Sequence, residues 1–399
     1  MQKNKIAIVK KCLRYVIALT LVCVLLYSFL FGGSAPINSY AGIILKKCSS
    51  AEYKPACYET EIPKLMNKIS MEAVFEVIRL IQLKDPSYAQ CHTLAHKLSS
   101  QEAKLHKTEW KDILIRCPLA MCNYGCLHGS LIEHFRGETL NDEQIAEALP
   151  DLKNVCERRS DWSPSLVDQN MCYHALGHLA MYITDADIKK SLTLCSTISK
   201  KQDGRDYSEI CSEGIFMTLL YPEDLVLPDD VKYQTNNVIK FCSRFTGYAY
   251  QICRRESSSL IEDELQDPLK LVNFCSFAKN VDDVDKCYGT VINRMADDFM
   301  PKEDWLERMD RYCGDIPIHK DLCVSSFAMR MIQIDKYNEY NAIQLCTLSK
   351  KYGSAVSDEC FNKLALNGSL IFTINSTDYS KYCDILPDEW KNKCYAKNQ

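Results

Sequence analysis

With 399 residues, 47% of them hydrophobic, the chain is long enough for one or two domains and too apolar for wholesale disorder. Its 48 basic and 52 acidic residues are interspersed and leave a formal net charge of -4, so it lacks the basic footprint of a nucleic-acid binder. Only 14 glycines and 13 prolines disfavour a turn-rich β-sandwich and favour an all-α fold.

In chain order, the first element is a basic leader, residues 1–14, carrying Lys3, Lys5, Lys10, Lys11 and Arg14. An apolar run follows from Tyr15 to Phe31. Positive charge ahead of such a run predicts a single-pass signal-anchor over 15–31, with the N-terminus cytoplasmic and the bulk extracytoplasmic. The membrane is then a partner through this helix. The alternative is a signal peptide cleaved after Ala41, where Ser39 and Ala41 are the small residues. Residues 32–47 read as a short tether, and 48–399 as the extracytoplasmic domain.

Cysteine is the outlying residue type, with 22 in the chain and no CxxC pair among them. Usage this heavy without metal knuckles reads as a disulfide framework formed in an oxidising compartment. Setting aside Cys12 and Cys23 of the anchor leaves an even number. From Cys156 onward the spacings alternate: short steps such as Cys156 to Cys172, Cys195 to Cys211 and Cys313 to Cys323, then segments of some two dozen residues. That alternation, with a period near the mid-thirties, predicts helix-turn-helix repeats in which each short pair staples one hairpin to the next.

The segment from Cys287 to Cys313 illustrates the two arms. Tyr288, Ile292, Met295 and Phe299 share one helical face, Pro301 marks a turn, and Trp305, Met309 and Tyr312 form a second stripe. Ser208, Asp285, Asp321 and Asp358 are the expected N-caps. Counting the cysteines that open a first helix gives about nine hairpins, stacked as a solenoid or partly closed superhelix. Nearer the N-terminus, Cys48 pairs with Cys57. Cys91, Cys117, Cys122 and Cys126 admit three connectivities, of which Cys117–Cys126 with Cys91–Cys122 keeps the repeat rule. The chain resembles secreted, cysteine-bridged repeat proteins of the Sel1-like or tetratricopeptide type in architecture alone. Their consensus of Gly, Ala and Tyr is not present, and no family is assigned on it.

Seven of the eight histidines fall between residues 92 and 178, within His-rich repeats spanning 91–220. The openings read Cys91-His92-Thr-Leu-Ala-His96, Cys126-Leu-His128-Gly and Cys172-Tyr-His174-Ala-Leu-Gly-His178, and the next is Cys211-Ser-Glu213-Gly. HxxxH puts two imidazoles one turn apart on one helix face, and equivalent positions on stacked helices lie side by side. His92, His96, His128, His174 and His178 are therefore the candidate metal ligands. Gly129, Gly177 and Gly214 would let the helices approach closely. Neutral imidazoles suit Zn, Cu or Fe rather than Ca or Mg.

Given an open coordination position, Glu133 or Glu213 would serve as general base toward a metal-bound water, as in a metal-dependent hydrolase. The competing readings are imidazoles packed and hydrogen-bonded between helices, a pH-responsive cluster, and axial ligation of a haem. From a different class comes a non-catalytic disulfide-rich scaffold that binds a protein or peptide along its concave face. No nucleophile motif or nucleotide-binding loop decides between enzyme and scaffold. Asn367-Gly-Ser and Asn375-Ser-Thr have the form of glycosylation sequons.

Overall fold

A computed structural model describes residues 34–85, 88, 91–106, 109–118, 121–135, 139–220, 227, 237–300, 302–334, 338–372, 374 and 376–396. Among them the regular structure is helical, apart from isolated β-bridges at Arg159–Trp162 and Lys200–Asp206. The chain divides into two compact units, up to Tyr88 and from Ala89 onward.

In the first unit, α1 (Ser34–Cys48) and α3 (Met71–Lys84) pack together, with α2 (Lys54–Glu61) joined to α1 by the Cys48–Cys57 bridge. The span expected to be a loose tether is thus mostly helix. Ala41, Ile44 and Cys48 recur at helical spacing and are buried. A cut after Ala41 would fall within this packed helix. Tyr58 closes the unit by donating a 2.6 Å hydrogen bond to Asp85, which also pairs with Lys54 at 3.2 Å.

The single-pass anchor is likewise corrected. Among the described residues no helix is long and apolar enough to cross a membrane, and the run at 15–31 lies outside them. That run sits at the lower limit of the roughly 17–25 residues a span needs. The transmembrane topology, the membrane partnership and the localisation inferred from them are withdrawn.

The second unit is a row of first helices: α4 (His92–His106), α6 (Gly125–His134), α8 (Leu166–Ile183), α10 (Ser208–Leu220), α12 (Gly247–Glu256), α15 (Val281–Phe299), α17 (Lys320–Ile334), α19 (Ser354–Ile371) and α21 (Asp388–Ala396). Each packs against the next in the row, and α19 also packs against α8, so the row curls back on itself within this unit. The intervening arms are uneven. They include α5 (Trp110–Arg116), α7 (Asp142–Asn154), α9 (Ile188–Ser199), the five-residue α11 (Val238–Cys242), α13 (Glu262–Leu265), α14 (Pro268–Phe274), α16 (Trp305–Asp315), α18 (Glu339–Leu348) and α20 (Thr377–Ile385). What the described residues form is an all-α, disulfide-rich helical domain with uneven arms, not a uniform solenoid of hairpins, and none of their helices is long and apolar enough to cross a membrane.

All ten bridges expected from the spacings form, including Cys91–Cys122 and Cys117–Cys126. In the repeat pairs the second cysteine lies inside a first helix and ties it to the end of the preceding arm. Two helices, α15 and α19, begin about a turn earlier than the expected caps. Asn280, not Asp285, caps α15 by accepting from the Asp283 amide at 2.8 Å. Asp321 and Asp358 lie within α17 and α19. At α17 the carboxylate of Asp321 acts instead as a first-turn acid that complements the helix dipole. The Asn367 sequon is also mid-helix in α19, with Ser369 buried, and Asn375 lies outside the described residues.

Candidate metal centre

The histidine site is built by helix approach. On α6, a Cβ at Gly125 would meet the His92 carbonyl oxygen at 2.4 Å, and one at Gly129 would meet the Cα of His96 at 2.5 Å. Between α8 and α10, a Cβ at Gly177 would lie 1.8 Å from the Cys211 carbonyl oxygen, and one at Gly214 2.1 Å from that of His174. Only glycine allows these backbones to touch. The contacts set α4, α6, α8 and α10 side by side at the level of the histidines.

All five candidate ligands come together. His92 and His96 face each other across one turn of α4 with their Nε2 atoms 3.0 Å apart, and His174 and His178 repeat the arrangement on α8, also at 3.0 Å. His128 on α6 lies between the pairs. Its ring centroid is 4.9 and 5.4 Å from those of His92 and His96, and 5.7 and 4.7 Å from those of His174 and His178. The ligand atoms fall into two trios, His92/His96/His128 and His128/His174/His178, each within 4.8 Å. These clustered imidazoles could coordinate a metal ion.

The outer imidazoles are held from behind. His92 Nδ1 is 3.1 Å from the carbonyl oxygen of Cys122, which can only accept, so Nδ1 carries the proton and Nε2 offers its lone pair. Cys122 adopts positive φ, +52°, and its bridge to Cys91 ties that carbonyl to the start of α4. On the other side, Thr218 Oγ1 donates to the Gly214 carbonyl at 3.0 Å and so accepts from His178 Nδ1 at 2.7 Å. The Nε2 atoms of His92 and His178 therefore face inward as acceptors. Anchoring of this kind fixes tautomer and ring orientation at metal sites. Thr218→Val, isosteric but without the acceptor, is expected to weaken zinc binding about 10- to 100-fold with the fold intact, read by competition against a chromophoric chelator.

His128 is different. It is 2% exposed, and neither ring nitrogen has a hydrogen-bond partner. Leaving a buried polar atom unsatisfied costs about 1–3 kcal/mol, which makes this ring an exception that asks for an explanation.

Burial and mutual repulsion keep four of the rings, His96, His128, His174 and His178, neutral. Burial, then the neighbouring His92, pushes His96 down to about 3; burial, then His92 and Arg294, pushes His174 down to about 4. His128 and His178 are held well below the ordinary value by burial and by the other rings. Neutral rings are the form a metal needs. Each folded-state pKa lies below the unfolded value near 6.5, so the unfolded chain takes up protons first. These groups leave stability unchanged above about pH 6.5 and erode it progressively as pH falls below that value, through the folded values of about 4 and about 3. Urea unfolding of the metal-free protein should show a midpoint falling over that window. A His96→Asn/His174→Asn variant should show a shallower fall, and equal slopes would contradict the assignment.

The two carboxylates expected to act as bases are engaged elsewhere. Glu133 accepts from Ser100 and pairs with Lys104 at 3.1 Å. Glu213, at the position matching His128 and His174, instead pairs with Arg255. Burial raises Glu213 to about 7 against the pull of that guanidinium. Arg255 is buried, holds Glu209 at 3.1 Å, and Glu209 holds Lys286 at 2.8 Å. The second position after the cysteine thus reads His128, His174, Glu213, Arg255 along the row, with chemistry passing from imidazole to ion pair. With its two proposed bases occupied outside the trios, the hydrolase reading is withdrawn.

Among the other histidines, His134 stacks on Trp110 with centroids 5.3 Å apart, and His319 lies edge-on to Tyr288. His106 lies 3.7 Å from Glu102 at the end of α4. Sequence reasoning missed Thr218, the Cys122 carbonyl and Gly125. A threonine four residues after Gly214 carries no signal by type, and a backbone carbonyl carries none at all. Gly125, one residue ahead of Cys126 where Gly129 follows it, was open to the same argument as the other glycines.

The fold and site define an all-α, disulfide-stapled protein with histidine clusters able to chelate a metal. No known family, curated protein or solved structure matches the chain.

Proposed function

We propose that this chain is a non-catalytic, disulfide-rich helical scaffold whose N-terminal repeats hold a transition metal on His92, His96, His128, His174 and His178. The observation that carries this is the fully buried, doubly unpartnered ring of His128 between two inward-facing imidazole pairs. An all-imidazole donor set favours copper or zinc, with iron behind them, and excludes the oxygen-seeking calcium and magnesium. A disulfide-stapled row of helices suits a surface for a protein or peptide partner.

The test is elemental analysis of the chain produced without a histidine tag in an oxidising compartment, beside a His92→Ala/His174→Ala variant. Stoichiometric copper or zinc in the parent, lost from the variant, is the expected result. A correctly folded parent that takes up neither ion would overturn the proposal.

A further inference from the structure

We infer that His128 is a bridging ligand, joining two metal ions through its two ring nitrogens, with His92 and His96 completing one side and His174 and His178 the other. This deepens the metal-binding reading above and rests on it.

Three observations carry the bridge. First, the ligand atoms form two trios that share only His128, so the two HxxxH pairs present themselves to separate ions. Second, the pairs are equivalent. Each has its Nε2 atoms 3.0 Å apart, which fits two cis nitrogens at about 2.0–2.1 Å from one ion. Each also has one ring pinned through Nδ1 from outside the site, to the Cys122 carbonyl on one flank and Thr218 on the other. Third, both nitrogens of His128 are buried without partners. A single ion would satisfy one of them and leave the other stranded, at the usual cost of an orphaned buried polar atom. Two ions satisfy both.

The chemistry balances simply. A neutral imidazole has one lone pair and one N–H. The first ion takes the lone pair of His128; the second displaces the remaining proton, which leaves to solvent, and binds the nitrogen it vacates. The product is an imidazolate with one metal on each nitrogen. In the free protein each flanking pair shares one Nε2 proton between its two rings. That proton moves to the other nitrogen of its ring, or leaves, as the ion enters. Each ion then has three imidazole nitrogens and room for a further ligand.

Copper(II) is the probe, because two copper ions joined by an imidazolate couple antiferromagnetically. The intact, fully oxidised chain is titrated with copper(II) at neutral pH, and bound copper is compared with the spins counted by electron paramagnetic resonance at low temperature. The expected result is two copper ions per chain with a spin count well below the copper count. The missing signal should return on acidification, as the bridging ring regains its proton. His128→Gln, which cannot bridge, should show every bound copper as an isolated spin. One copper per chain, or two with a full spin count, overturns the bridge and leaves the metal-binding reading standing. No bound copper or zinc overturns that reading itself.

Discussion

Replacing His128 by leucine is expected to make the metal-free protein more stable while abolishing its stabilisation by metal. The two side chains are similar in volume, so the substitution opens no large cavity. It removes two buried nitrogens that have no hydrogen-bond partners, and replacing an unsatisfied polar group by an apolar one recovers about 1–3 kcal/mol. Each flanking pair keeps its internal Nε2 contact and loses only its neighbour on α6. With zinc at about 100 times its dissociation constant the parent should gain about 2.7 kcal/mol for each ion bound, and the variant little. The measurement is denaturant unfolding of both proteins, bridges intact, with and without zinc. A metal-free variant less stable than the parent by 2 kcal/mol or more, on the order of a lost core contact, would mean His128 is a packing residue. Equal stabilisation of both by zinc would remove it from the site.

The second large effect is expected at Gly177. An added methyl group there would lie 1.8 Å from the Cys211 carbonyl oxygen and 3.0 Å from the Cα of Gly214. Backbone cannot yield as a flexible side chain does, so α8 and α10 must move apart. Overpacking of this kind costs about 1–3 kcal/mol. The separation also stretches the 2.7 Å contact from Thr218 to His178, which orients one of the metal-facing rings. Gly177→Ala should therefore lose both stability and zinc affinity, the latter about tenfold or more. Gly289 is the control: it lies inside α15, and an added Cβ meets nothing within 4 Å. Gly289→Ala should stabilise by about 0.4–1 kcal/mol through reduced unfolded-state entropy and leave metal binding alone. Thermal unfolding and zinc titration of both variants decide the point. Equal behaviour of the two would contradict the close-approach account.

Much of this architecture is written in residue types that can do few things. Cysteines at alternating short steps can hardly be anything but neighbours in space, and their pairing was readable even around Cys91, Cys117, Cys122 and Cys126. The histidines were legible for the same reason: HxxxH after a cysteine fixes both the face and the level at which a ring sits. Helix starts were less legible, because Asp321 serves as well in a first turn as at a cap, and Asn280 was overlooked in favour of Asp285. Glu213 shows the limit of positional analogy. It occupies the place of His128 and His174, but its side chain answers to Arg255 on the next helix, a charge whose burial the sequence does not announce. The span at 32–47 was misread because two buried residues, Ala41 and Ile44, are too few to stand out beside a strongly apolar run. That run in turn invited a membrane reading that the described helices do not support.

The most direct test of the account is X-ray absorption at the zinc edge on the fully oxidised, zinc-loaded chain. It predicts a shell of nitrogen at about 2.0–2.1 Å with the multiple-scattering pattern of imidazole and no sulfur. A sulfur shell near 2.3 Å, or oxygen alone, would place the metal elsewhere and return the five histidines to packing.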